Sequence, residues 1–164
     1  MDGSGVAVHV EHTLTAGGMR RMPTLEQEVL VENRGDRPLR ALLGVEWATT
    51  MLGGGGNPSA YWDLGSGERT AHDAYGTRSG VTELRSGNDY IGVEVATSVT
   101  PAAEAWHSPI ETISNSEAGF ERVYQGSALL LGWQVELAPG ARTTIRVSHL
   151  VTTSRDRAQE EAIR

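Results

Sequence analysis

The chain has 164 residues, no cysteine, a formal charge of −7 and an isoelectric point near 5.2. Its length suits one domain large enough to bury a substantial core, and the missing cysteines exclude a disulfide framework, a thiolate nucleophile and Cys-ligated zinc. The acidic balance argues against a nucleic-acid partner or an anionic membrane surface, because phosphate binding needs clustered Lys and Arg.

The opening "MDGSG" reads as five linker residues, 1–5. It is not a basic region followed by an apolar run, and no apolar stretch in the chain is long enough to span a bilayer. A segment without cysteine or a leader pattern is expected in the cytoplasm.

From there on, apolar residues recur with period two and helical spacing is nearly absent, which predicts an all-β domain over residues 6–153. Val6, Val8, Val10 and Leu14 share one face of a first strand, and Leu25, Val29 and Val31 one face of a second. The turn formers of "ENRGDRP" follow. Leu39, Ala41, Leu43, Val45, Trp47 and Met51 line one face of a third strand. Because Leu42 and Leu52 are apolar as well, this strand is expected to be covered on both sides, as a central strand would be. Residues 53–80, rich in glycine and weak in periodicity, are expected to be one long loop. Ile91, Val93, Val95 and Val99 continue the alternation, followed by Leu129, Leu131, Trp133, Val135 and Leu137, and then by Ile145, Val147 and Val151. "SGND" at Ser86 and "APG" at Ala138 supply the hairpin turns. Residues 154–164 read as a polar tail.

The candidate chemistry is sparse. His9 and His12 are three apart, so on a strand they point to opposite faces and do not converge on a metal. Asp63, His72 and Asp73 are weak metal candidates in the long loop, with no motif spacing; no metal and no cofactor is expected. The glycines at 53–56 precede no Lys-Ser/Thr and no helix start, so they read as a hinge and not as a phosphate cradle. No G-x-S-x-G elbow is present. Glu111, Glu117 and Glu121 offer the residue types of a glycosidase pair, but the pattern around them is that of a turn and its flanking strands. Trp47 and Trp133 fall on core faces, whereas Tyr61, Trp62, Tyr75 and Trp106 lie in or beside loops, where flat rings can stack on a sugar.

The stretch "SPIETISNSEAGFERVYQGSALLLGW" resembles a motif of the C-terminal β-sandwich domain of glycoside hydrolase family 57 enzymes, the 4-α-glucanotransferase and α-amylase group. "LLGVEWATTML" resembles that domain's Glu-aromatic strand, and the likeness runs from Leu25 to Val151. The resemblance implies an antiparallel sandwich similar to the galactose mutarotase supersandwich, placed after a catalytic barrel that carries the nucleophile and acid. The implied partner is that barrel, in the same or a separate polypeptide, with α-glucan as a further expected contact.

On this reading residues 110–114 and 120–127 form two strands joined by the "NSEAG" turn, with Ile113, Phe120 and Val123 packing inward and Gly119 permitting the reversal. Glu111, Glu117, Glu121, Arg122, Tyr124 and Gln125 form a polar cluster at the sandwich edge that orders the hairpin or faces the barrel. The chain itself is expected to be noncatalytic. The alternatives are an independent carbohydrate-binding module and a mutarotase or epimerase relative, for which His72, His107 and Glu94 are the nameable acid–base groups.

Overall fold

A computed structural model describes residues 7–116 and 119–156. Its strands are β1 (Val8–Met19), β2 (Met22–Asn33), β3 (Leu39–Thr49), β4 (Ala60–Asp63), β5 (Thr70–Ala71), β6 (Gly76–Asn88), β7 (Val93–Ser116), β8 (Gly119–Leu137) and β9 (Arg142–Thr153). Every pairing is antiparallel.

Two layers are built from these strands. One runs in the order β1-β2-β9-β7-β6-β4-β5, while the other pairs β3 with β8 and β8 with β7. The joint is β7: Val93–Thr100 bond to β9 and Glu104–Ser116 bond to β8, while β6 follows it across the transition through two register shifts. Where β7 changes partner, the Trp133 indole donates to the Pro101 carbonyl oxygen at 2.9 Å.

Alternation explains which side of each strand is buried. Val29 and Val31 of β2, Ile145 and Val147 of β9 and Val99 of β7 share one core with Leu39 and Val45 of β3 and Leu129, Leu131 and Trp133 of β8. Each such side chain, taken fully out of water, contributes about 1.5–3 kcal/mol before conformational entropy is set against it. Asn33, wholly buried at the end of β2, closes the turn into β3: its amide donates to the carbonyls of Arg37 and Leu137, and its Oδ1 accepts from Gly35 N–H.

Several expectations change. Among the described residues β3 pairs only with β8, so it is an edge strand. Leu42 on its outer face is 54 % exposed and Leu52 has left the strand, so the strand is covered on one side and not on two. Residues 53–80 are not a featureless loop, since β4, β5 and the start of β6 lie within them. Ser86, Gly87 and Asn88 complete β6, and the reversal into β7 falls at residues 89–92. The β7–β8 hairpin forms as expected, with Gly119 at φ 114°, but Ile113 and Phe120 are 70 % and 85 % exposed and Val123 also faces solvent. This hairpin extends past the facing layer, so neither of its sides meets a core. Residues 154–156 make one helical turn; residues 1–6 and the rest of the tail lie outside the described residues.

Candidate functional site

Among the described residues, a densely connected polar group is built around a histidine from the long connection. β4 pairs with β6 and with the two-residue β5, which carries the chain to His72 directly afterwards. Trp62 of β4 is 1 % exposed and stacks on the His72 ring, with centroids 4.7 Å apart and planes 8° from parallel. Its other ring neighbour is His107 of β7, at 5.5 Å and 26°. The Trp62 Nε1–H donates to the His72 carbonyl oxygen at 3.2 Å.

Hydroxyls from two further strands surround the imidazole. Nδ1 of His72 lies 2.9 Å from Tyr124 Oη and 3.0 Å from Ser127 Oγ, both on β8, and Nε2 lies 3.0 Å from Ser86 Oγ on β6. Ser127 Oγ also donates to the His72 carbonyl and sits 2.8 Å from Tyr124 Oη. A neutral imidazole has one donor and one acceptor nitrogen, and in either tautomer this ring of hydroxyls satisfies both. Burial pushes the His72 pKa down to about 4, helped by His107 and opposed by Asp73. His107 is likewise lowered by burial.

A second knot lies alongside. The Tyr61 hydroxyl donates to Glu94 Oε2 at 2.7 Å, Arg85 reaches Glu94 Oε1 at 3.1 Å, and the Arg69 guanidinium lies 3.7 Å above the Tyr61 ring. Burial and the adjoining Glu94 push the Tyr61 phenol up to about 12. A cavity of about 230 Å³ between Leu64, Glu68, Thr70, Arg78 and His107 opens beside these residues.

The residues singled out in the sequence therefore separate into different roles. Tyr124 is central to the His72 network, whereas Arg122 pairs with Glu111 at 3.4 Å and Gln125 donates to Thr112 Oγ1 at 3.2 Å on the hairpin surface. Exposed pairs of that kind contribute little stability. Glu121 is exposed, and Glu117 lies outside the described residues. Tyr61 and Trp62 are buried, so the four loop aromatics do not form one exposed platform: Tyr75 is 73 % exposed and Trp106 is half-buried.

Asp63, His72 and Asp73 serve three separate purposes. Asp63 Oδ1 accepts from the N–H groups of Gly65, Ser66 and Gly67 at 2.9, 3.0 and 3.0 Å, and Asp73 accepts from Gly56 N–H. Among the described residues, no group of three His, Cys, Asp or Glu side chains is placed to hold a metal. The hinge glycines let the loop close on β8, since a Cβ at Gly55 would stand 2.9 Å from Cβ of Tyr124. Sequence reasoning did not single out Ser86 or Ser127. For Ser127 a signal existed, a hydroxyl three residues after Tyr124, but its partner is fifty-five residues away.

Ser127 and His72 have the residue types of a nucleophile and its base, yet Ser127 is wholly buried, His72 is 3 % exposed and the serine hydrogen is committed to a carbonyl. The arrangement fixes a long connection onto two strands. An antiparallel sandwich with a long connection pinned by such a polar knot is an all-β module.

Comparison with known proteins identifies which one. Residues 4–147 match the family described as alpha-amylase/4-alpha-glucanotransferase, C-terminal, and the chain belongs to that family. Alpha-amylase 1 of Dictyoglomus thermophilum is 52 % identical over 58 residues, which are 34 % of this chain and 8 % of that protein. The 4-alpha-glucanotransferase of Thermococcus litoralis superposes with a TM-score of 0.56 at 20 % identity, covering 90 % of this chain and 19 % of that one. A putative aldose 1-epimerase of Escherichia coli K12 gives 0.51 at 15 % identity, covering 89 % of this chain and 65 % of its own. At these identities the structural likeness is one of fold, that of the galactose mutarotase-like sandwich. The chain thus spans under a tenth of the curated amylase it matches and about a fifth of the glucanotransferase. No helix among the described residues is long and apolar enough to cross a membrane.

Proposed function

We propose that this chain is the noncatalytic C-terminal module of an α-glucan-active hydrolase or glucanotransferase of glycoside hydrolase family 57, working in the cytoplasm and packing on the catalytic portion. The observation that carries the reading is the closed state of the His72 network. Its histidine and serines are buried and mutually hydrogen-bonded, and Glu94, 5 % exposed, is taken by Tyr61 and Arg85. General acid–base chemistry on a sugar needs such groups within hydrogen-bond reach of the substrate, and here His72, its serines and Glu94 are engaged by their own protein partners.

The test is turnover by the purified chain on maltooligosaccharides, starch and aldoses followed by polarimetry. No turnover is expected. Mutarotation or hydrolysis that disappears in His72→Asn would overturn the proposal in favour of the epimerase alternative.

A second reading, direct glucan contact, is favoured by the placement of the remaining aromatics. Tyr75 directly precedes Gly76 at the start of β6, and Trp106 lies opposite Thr77 on β7, so the two aromatics are two positions apart along the same strand pair. Rings spaced along one strand pair can stack on successive units of a pyranose chain. Maltooligosaccharide titration followed by amide NMR should move the resonances of Tyr75 and Trp106; unchanged spectra at millimolar sugar would leave packing as the module's role.

A further inference from the structure

The two layers do not end together. β1 is the last strand of its layer, and β3 is the last described strand of the other. Residues directly opposite in an antiparallel pair share a face, so Val10, opposite Val31, and Leu14, opposite Gln27, point to the core side of their layer. Yet Val31 is 3 % exposed and Val10 54 %. The core-facing side of β1, where Val8, Val10 and Leu14 flank His12, is therefore mostly apolar and uncovered.

Along the same open side, a cavity of about 220 Å³ penetrates between the start of β2 and the end of β3, walled by Pro23, Leu25, Trp47, Met51, Leu129 and Val151. Its lining is almost wholly apolar, but three polar atoms on its lining residues are buried without a hydrogen-bond partner among the described residues: Trp47 Nε1, Thr49 Oγ1 and His149 Nε2. His149 is anchored from its other nitrogen, which lies 2.9 Å from Thr97 Oγ1, and its ring meets Trp47 edge-on at 4.5 Å. Buried polar groups are nearly always paired, so three unpaired atoms on residues that line one cavity mark a place where the packing is incomplete. The chain on either side of the mouth is apolar and exposed, Met19 beside the turn into Pro23 at 70 % and Leu52 after Met51 at 61 %. An exposed apolar stretch of this kind is what a protein surface covers.

We propose that this open side, from the core-facing side of β1 to the cavity at Trp47, is the surface on which the catalytic portion docks. A side chain of that portion, apolar in its body and hydrogen-bonding at its tip, is seated among Trp47, Thr49 and His149. The inference rests on the packing role proposed above and says where that packing occurs. The occupant is a large polypeptide because the glucanotransferase that shares this fold has about four-fifths of its length outside the matched part. A sugar does not suit the cavity, whose walls offer too few polar groups for its many hydroxyls.

The test adds the catalytic polypeptide of the same source organism to ¹⁵N-labelled chain. The Trp47 indole N–H resonance and the Thr24 and Thr49 amides should shift or broaden, and the double variant Met19→Gln, Leu52→Asn should bind at least about tenfold more weakly. Both changed residues are exposed, so the variant keeps its fold, which its amide spectrum checks. The control Phe120→Ser, at the distant hairpin, should bind as the parent does. Undiminished binding by the double variant, or binding lost in Phe120→Ser, overturns this inference and leaves the packing role standing. No association at all overturns both. A self-dimer of the chain that dissociates in the double variant reassigns the surface to a second copy and also overturns it.

Discussion

The hydroxyl of Tyr124 lies 2.9 Å from Nδ1 of His72, a residue fifty-two positions earlier in the chain. This contact joins the family-motif strand β8 to the long connection, and Ser127 repeats it from the same strand. Tyr124→Phe removes the hydroxyl while keeping the ring, leaving a buried polar cluster short of one partner. A loss of about 1–2 kcal/mol is expected in denaturant titrations, with faster amide exchange around residues 53–74. Gln125→Ala, at the exposed neighbouring position, should stay within about 0.5 kcal/mol of the parent. Equal losses in the two variants would count against the network.

The same histidine sets a pH dependence. His72 titrates near its ordinary value when unfolded and only at about 4 when folded, so between these values the unfolded chain binds the extra proton. Stability is then fully present above about pH 6.5 and is lost progressively as the pH falls toward 4. His107 and His149, both lowered by burial, add in the same direction. After allowance for relaxation of the site around a charged ring, His72 alone contributes on the order of 2 kcal/mol across this window. Urea midpoints from pH 7 to 4.5 should fall, and His72→Gln should flatten the slope; an unchanged slope in that variant would refute the assignment.

Gly126 in the motif is a position of close backbone approach. A Cβ there would stand 2.8 Å from the carbonyl oxygen of Thr49, a backbone atom of the neighbouring strand. Gly126→Ala should therefore destabilise by about 2 kcal/mol, since β3 and β8 must separate locally to admit it. Wild-type stability in this variant would mean that the strands pair more loosely there.

Leu52 has φ 61°, a left-handed conformation that suits Asn far better than Leu. Its side chain is 61 % exposed, so little packing is lost on replacement. Leu52→Asn should raise stability by roughly 0.5 kcal/mol, read as a higher melting temperature.

Much of the sandwich was legible in the sequence because one buried face imposes alternation. β2, β8 and β9 carry the expected apolar positions, and the turn at Ala138 falls between β8 and β9. The reading failed where apolar residues do not face a core. Leu42 suggested a central strand and Phe120 an inward-facing hairpin, but Leu42 lies on the outer face of β3 and Phe120 beyond the facing layer, and both are exposed. β6 escaped notice because its first half is glycine and polar residues and its pairing shifts register around Val81. The residue types of the polar site were visible, and Tyr124 was among those named, but its partners are brought together only by pairing between distant strands. Hydrogen bonds across fifty residues leave no periodicity to read.

β7 is 24 residues long and is bonded in its first part to β9 and in its second to β8. At the usual rise its contour is about 80 Å, long enough to serve as a common seam for both layers. Neither layer can be peeled away while the other keeps its register, because the loosened strand is structural to both. The ends of the chain are drawn in as well: Glu28 of β2 pairs with Arg146 of β9 across 118 residues. Such a molecule can start from its hairpins but must join them through contacts distant in sequence. It should collapse and dissolve as one cooperative unit, folding slowly because the pairings that join its hairpins, β2 with β9 and β3 with β8, must close long loops.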